Sequence, residues 1–229
     1  INFGRYEFET NVAGVMKQSA DNYTSVVEID DGDNYNYKEL TSDNYGNRAA
    51  KNLGDFITKA KNAGGYYIGR YEAGKVSGNE NTFNIKKGQE VYNDINQPKA
   101  AELARNLYSS NNNFESDLIN SYAWDTAIVF IQTFSGDTDY SKQTSLQSTL
   151  TETGNAHDSD NNYDVRCNIY DMAGNVLEWS TETSTYSRAP CVNIGGYYTN
   201  SGGYTANRFR FSTGTSSTDI GFRSTLYVK

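Results

Sequence analysis

Tyr170-Asp171-Met172-Ala173-Gly174-Asn175-Val176-Leu177-Glu178-Trp179 is the stretch on which the fold turns. Asp171 to Gly174 reads as a chain reversal, with Gly174 able to take a backbone geometry closed to residues that carry a Cβ. Val176, Leu177 and Trp179 read as an apolar strand. Glu178 stands among them as a charge that needs a partner once it is buried. Towards the C-terminus come Asn193-Ile194-Gly195-Gly196-Tyr197 and then Gly221-Phe222-Arg223. Arg223 belongs to a closing core strand, where a buried arginine pairs with an acidic residue; Glu178 is one candidate.

Upstream of this stretch the chain is ordered by changes of period. Residues 1–46 are polar and weakly periodic, with Val26-Val27-Glu28-Ile29 as a candidate strand. Asp30-Asp31-Gly32-Asp33-Asn34 lacks the downstream Glu of an EF-hand and reads as an acidic turn. From Asn47 to Ala63, Ala50, Leu53, Phe56, Ile57 and Ala60 recur at helical spacing, and Gly64-Gly65 supplies a stop. Tyr66 to Glu72 reads as a strand. A second helix is expected over Pro98 to Tyr108, with Pro98 suited to the first helical position. A third is expected over Ser116 to Phe134, with Trp124, Ala127, Ile128, Ile131 and Phe134 as its buried stripe. Gly136 to Asn162 reads as a long excursion holding a short helix, and Tyr163 to Lys229 as strands and loops dense in Gly and Tyr.

Composition narrows the function classes. The chain has 229 residues, enough for one large domain or two small ones and for a real core. Its 19 Tyr and 20 Gly, set among many Asn and Ser, form the palette of a recognition surface, because Tyr gives rigid contact area and the small polar residues give adaptable hydrogen bonds. The same composition also fits a plain loop-rich extracellular domain. A formal charge of -8 disfavours nucleic acid as a partner. No apolar run has the length of a membrane span. The sequence begins at Ile1 rather than Met, so the absence of a leader says little about export. Cys167 and Cys191 are read either as one bridge or as two buried thiols. The single His157, in a polar run, is read as a solvated loop residue.

Gly174-Asn175-Val176-Leu177-Glu178-Trp179, the Gly195-Gly196 turn and Gly221-Phe222-Arg223 together resemble the core of the formylglycine-generating-enzyme family, a branch of the C-type-lectin-like fold. Ile68-Gly69-Arg70-Tyr71-Glu72 is similar to the strand that opens that family's domain. The resemblance spans residues 64–229 and is firmest over 163–229. It implies an α+β, C-type-lectin-like domain with two main helices, short antiparallel strands and long irregular loops. Residues 1–63 are then an irregular extension with one helix packed on the core, and 179–225 is a variable-type segment. In that family the Asn-x-x-Glu unit lies beside a calcium ion. The resemblance therefore implies Asn175, Val176 and Glu178 as Ca2+ ligands through side-chain and backbone oxygens, since hard oxygen donors suit calcium. Read from the residues alone, Asn175 and Glu178 equally satisfy local donors with no metal, and no cofactor is required.

The resemblance does not extend to the family's chemistry. Its oxidases use two cysteines, five positions apart, ahead of an Asn-Arg-Tyr-Arg-like sequence, which here reads Asn207-Arg208-Phe209-Arg210. The matching positions hold Ser201 and Ala206, and neither side chain can act as a thiolate towards copper or a substrate cysteine. Cys191 lies in the wrong segment. One histidine cannot build the iron site of related sulfoxide synthases. The family's Arg-Leu-Pro-Thr-Glu-x-Glu-Trp element is replaced by Ser121-Tyr122-Ala123-Trp124-Asp125, and no nucleophile-elbow, Walker or zincin motif is present. The chain is expected not to be an enzyme.

The same fold serves the variable proteins of diversity-generating retroelements, among them phage receptor-binding proteins and bacterial surface proteins. This chain is similar to them in its core motif, its Gly-Gly turn, its polar-aromatic patch and its closing Gly-Phe-Arg-Ser. The implied ligand-binding residues are Asn193, Ile194, Tyr197, Tyr198, Thr199, Asn200, Ser201, Tyr204, Asn207, Arg208 and Phe209. All are types reachable by adenine substitution from Asn-type codons. The expected function is receptor binding to a protein or cell-surface ligand, from a virion or a bacterial surface, by a chain that forms a homo-oligomer or acts alone. A relative of the oxidases with a remodelled active site, and a structural tail subunit, are the alternatives.

Overall fold

The computed structural model describes residues 1, 3, 4, 6, 8, 29, 30, 36–39, 53–144, 149–155, 165–198 and 204–229. Among these the chain is mixed α+β, with three α-helices and four sheets. In chain order the elements are β1 (Ile29–Asp30), β2 (Asn36–Lys38), α1 (Leu53–Asn62), β3 (Tyr67–Ile68), β4 (Gly74–Val76), β5 (Asn79–Asn84), α2 (Gln97–Asn106), β6 (Phe114–Leu118) and α3 (Ser121–Ser135). A 3-10 turn at Tyr140–Lys142 follows, then β7 (Val165–Arg166), β8 (Ile169–Tyr170), β9 (Leu177–Ser184), β10 (Cys191–Ile194), β11 (Arg208–Phe211), β12 (Ile220–Phe222) and β13 (Ser224–Val228).

The opening decapeptide runs directly into the hub of the main sheet. All of β9 is buried, and it pairs antiparallel with β10 on one edge. Its other edge is shared: β12 runs parallel beside Leu177–Trp179, and β2 runs antiparallel beside Thr183 and Ser184. The parallel contact is close. A Cβ at Gly221 would meet Val176 Cγ2 at 2.9 Å, so only glycine lets β12 approach. A second sheet of order β3-β13-β6 is reached by continuing from β12 through Arg223 into β13.

The turn before β9 departs from the sequence expectation. Asp171 (φ 62) and Asn175 (φ 61) adopt the left-handed region, and Gly174 does not. Short polar side chains tolerate that region, so the reversal is made by the two residues flanking Met172-Ala173-Gly174. The left-handed glycine of this region is Gly195 (φ 92), whose Cβ would meet Met172 O and Trp124 Cζ2 at 3.1 Å each.

Helix α1 ends as its glycines require. Gly64 is left-handed, and Gly65 N–H donates to Ala60 O at 2.7 Å. Asn96 caps α2 through Lys99 N–H, with Pro98 in the first turn. The third helix starts five residues later than periodicity suggests, because Ser116 to Leu118 pair with β13 and Asn120 is the cap. Its stripe is buried through Ile131, but Phe134 is exposed and stands against Phe130 at 4.9 Å. The expected strand at Tyr66 to Glu72 shrinks to Tyr67–Ile68. The candidate strand at Val26 keeps only Ile29 among the described residues, and His157 lies outside them.

Two apolar clusters flank the sheets. One gathers α3, α1, Val192, Ile194 and Tyr227; the other gathers α2, Leu118, Trp179, Cys191, Ile220 and Phe222. Helix α1 joins the first through Phe56, edge-on to Tyr227 at 4.9 Å. The N-terminal region also reaches α3: Glu39 is buried and accepts from Ser121 N–H at 2.6 Å and from Thr181 Oγ1 at 2.8 Å. A carboxylate at a helix N-terminus is favoured by the helix dipole. Cys191 is buried and Cys167 is half-buried in the β7–β8 turn, each a thiol, so they are not bridged. Among the described residues no helix is long and apolar enough to cross a membrane.

Candidate functional site

The motif that decides the fold surrounds a buried ion pair. The Arg223 guanidinium donates to Glu178 through Nη2 at 2.7 Å and through Nε at 3.0 and 3.1 Å. Its remaining reach goes to Gly69 O and Tyr170 O, each at 2.7 Å. Both side chains are fully buried. Burial opposes charge on both: it raises the Glu178 pKa against the pull of Arg223, while Glu178 holds the arginine's pKa up, and the short forked geometry is that of an ion pair. Glu72 lies close by, accepting from Asn175 Nδ2 at 2.8 Å and Val176 N–H at 3.3 Å. Burial pushes its carboxyl well above the ordinary range, and Asp171 and Glu178 push it the same way.

This arrangement bears on calcium. The Glu178 carboxylate is turned to Arg223, and Asn175 Oδ1 accepts from Thr151 N–H at 3.0 Å. Asn175 O accepts from Tyr198 N–H at 3.1 Å. A calcium site needs such oxygens turned to one centre, without cationic donors on them. Asn175 and Glu178 as placed do not fit that requirement. Among the described residues no group of three or more His, Cys, Asp or Glu side chains could hold a metal.

The proposed contact residues divide in two. Tyr197, Tyr198, Tyr204 and Phe209 are half-buried, with part of each residue open to solvent. Asn193, Ile194, Asn207 and Arg208 are buried. Thr199, Asn200 and Ser201 lie outside the described residues. The strand period explains the division. Val192 and Ile194 point into the cluster under α3, while Asn193 pairs across the strands with Trp179 and Phe209 on the opposite face. Asn207 shares that face, and Gly195 N–H donates to its carbonyl at 3.2 Å. Among the described residues the amides of Asn193 and Asn207 have no hydrogen-bond partner. Tyr197, Phe209 and Phe211 pack around this face, against the second apolar cluster.

Arg208 points the other way. Its Nη2 donates to Asp125 Oδ1 of α3 at 2.7 Å, its Nε to Glu182 Oε2 at 3.1 Å and its Nη1 to Ala206 O at 2.8 Å. The arginine side chain is 2% exposed and both carboxylates 0%, so Arg208 fixes β11 to α3 and β9 and is not presented to a ligand. Its neighbour Arg210 lies over the Tyr186 ring at 5.6 Å. Tyr198 is held by Asp219, to which its hydroxyl donates at 2.7 Å; that hydrogen bond, with burial second, raises the phenol pKa. Phe211 packs beside Tyr197 and Phe209 and is a member of the patch that the sequence does not announce. The alternation Arg208-Phe209-Arg210-Phe211 is the signal that separates the two faces.

The site is thus half-buried rings, Phe209 on the edge strand β11 and Tyr197, Tyr198 and Tyr204 in the chain between β10 and β11, beside Arg208 locked inward. It has no thiol or histidine among the described members of the patch. No family model matches the chain, and no curated protein matches it. Among solved structures it is similar to one described as the crystal structure of CarF, with 19% identity, a TM-score of 0.44, and coverage of 60% of this chain and 67% of that one. It is also similar to Treponema denticola variable protein 1, with 15% identity, a TM-score of 0.42, and coverage of 97% of this chain and 93% of that one.

Proposed function

We propose that this chain is a non-catalytic ligand-binding protein: a C-type-lectin-like scaffold of the retroelement variable-protein kind, meeting a protein or cell-surface ligand from a virion or a bacterial surface. The observation that carries the reading is a set of half-buried rings: Tyr197 and Tyr198 stand edge-on at 6.2 Å, Phe209 packs with Tyr197 against the second apolar cluster, and Tyr204 lies ahead of β11, while every residue of β10 is buried. Rigid aromatic surface on a fixed frame binds at low entropic cost. Ala206, at a position where the resembling oxidases carry a thiol, is buried and offers no nucleophile.

The test is capture from a cell-surface display library by the native chain and by the Tyr198→Ala/Tyr204→Ala variant. Loss of capture with an unchanged melting temperature supports the patch. Unchanged capture overturns it. The nucleotide sequence around the gene tests the diversification: a near-identical repeat differing only at adenines, beside a reverse transcriptase, is the expected arrangement.

A further inference from the structure

Away from the ring patch, a groove of about 1110 Å³ opens between the β4–β5 hairpin, the segment 88–96 and the start of α2. Pockets for small molecules run from about 300 to 1,000 Å³, so this one exceeds what a lone ion or single small ring fills.

Its chemistry is that of amides and hydroxyl partners. Asn79, Asn81, Asn93, Asn96 and Gln89 line it. Both of its lysines are already answered. Lys75 pairs with Glu90, and Lys99 pairs with Glu102 at 3.0 Å while reaching Asn81 Oδ1 at 3.5 Å. With the lysines engaged and the carboxylates of Glu80 and Asp94 also lining the groove, phosphate, sulfate and acidic peptides are disfavoured. Part of each amide is already engaged, but among the described residues Nδ2 of Asn79, Asn81 and Asn96 and Oδ1 of Asn93 carry no bond, and these donors and acceptor, with the carboxylates, suit a ligand dense in hydroxyls.

One aromatic ring stands in this polar setting. Tyr92 is edge-on to Phe222 at 5.8 Å, and its hydroxyl donates to Glu80 O at 2.6 Å, so its ring is held at both ends. The floor is held too. Asp94, left-handed at φ 53, donates its N–H to Ser217 O at 2.9 Å, and Asn93 Nδ2 donates to Thr218 O at 2.7 Å. A fixed ring among amides offers a flat apolar face with hydrogen-bonding groups around it.

We propose that this groove binds a neutral oligosaccharide, with the amides and carboxylates taking its hydroxyls and Tyr92 taking the C–H face of one sugar ring. The site is separate from the ring patch and does not depend on it. The loop 212–219 lies between them, with Ser216 lining the groove and Asp219 holding Tyr198.

The experiment is calorimetric titration of the full chain with cellohexaose, maltohexaose and chitohexaose, followed by a glycan array of neutral oligosaccharides. At least one neutral glycan is expected to bind. Tyr92→Ala should weaken that binding about tenfold, the scale of a stacked aromatic contact. Because Tyr92→Ala removes a core contact as well, Asn81→Ala/Glu80→Ala on the exposed hairpin is the second variant. It should weaken binding about threefold or more at an unchanged melting temperature. Tyr197→Ala/Tyr204→Ala should leave the affinity as it was, which separates this site from the patch. The proposal is overturned if no glycan binds, if the hairpin variant binds as well as the native chain, if binding is lost only with the patch variant, or if the groove selects peptides instead.

Discussion

Arg223 and Arg208 are both buried and both face carboxylates, yet they hold different things together. Arg223 ties Glu178 of β9 to the carbonyls of Gly69 and Tyr170, so one guanidinium joins segments from three parts of the chain. Arg208 ties β11 to Asp125 of α3 and Glu182 of β9, and gives one donor to its own neighbour Ala206. The first closes the scaffold; the second seats the strand that carries the rings. An arginine set among aromatics in the sequence is therefore not a contact residue by default. Two carboxylates within reach on other elements claim it.

The largest effect that could break this comparison is at Arg223. Arg223→Ala leaves Glu178 buried and unpaired, and should cost about 3–5 kcal/mol in urea melts or prevent folding. Replacing both partners, as Glu178→Leu/Arg223→Met, should recover much of that loss, since an apolar pair needs no solvation. Arg208→Ala should follow at about 3 kcal/mol, again from stranded carboxylates. If that variant melts like the native chain but no longer captures ligand, Arg208 is a contact residue after all and the comparison fails.

Smaller effects sharpen it. Asn193→Leu removes a buried amide without a partner among the described residues and should stabilise the fold by about 1–2 kcal/mol in thermal melts. The pH dependence follows from Glu72. Its folded pKa is raised, so the stability it contributes is present below the ordinary glutamate pKa and is lost as pH rises through the higher folded value. The melting temperature should fall from mildly acidic towards alkaline pH, and Glu72→Gln should flatten that slope whatever it does to stability itself. Least of all, millimolar calcium or EGTA should leave the melting temperature unmoved, because Glu178 and Asn175 already face donors.

What could be read from the sequence was local or motif-borne. Gly64-Gly65 ends α1, Pro98 sits in the first turn of α2, and Arg223 meets Glu178. Residues whose fate depends on distant chain were read less well. Ser116 to Leu118 look helical until β13 pairs with them. Phe134 continues the period of α3, but the helix outruns the core there. Nothing near Glu39 announces that it will cap α3 and hold Thr181. The resemblance to variable proteins puts Asn193 and Ile194 among the contact residues, whereas β10 is a buried strand paired on both edges.

The Glu178–Arg223 contact spans 45 positions of chain. Everything between those two residues, the ring-bearing strands included, is a lariat fastened at its neck. Since Gly69 must also reach Arg223 across 154 positions, that neck can be drawn closed only once Arg223 itself has been made, and topologies of this kind fold slowly.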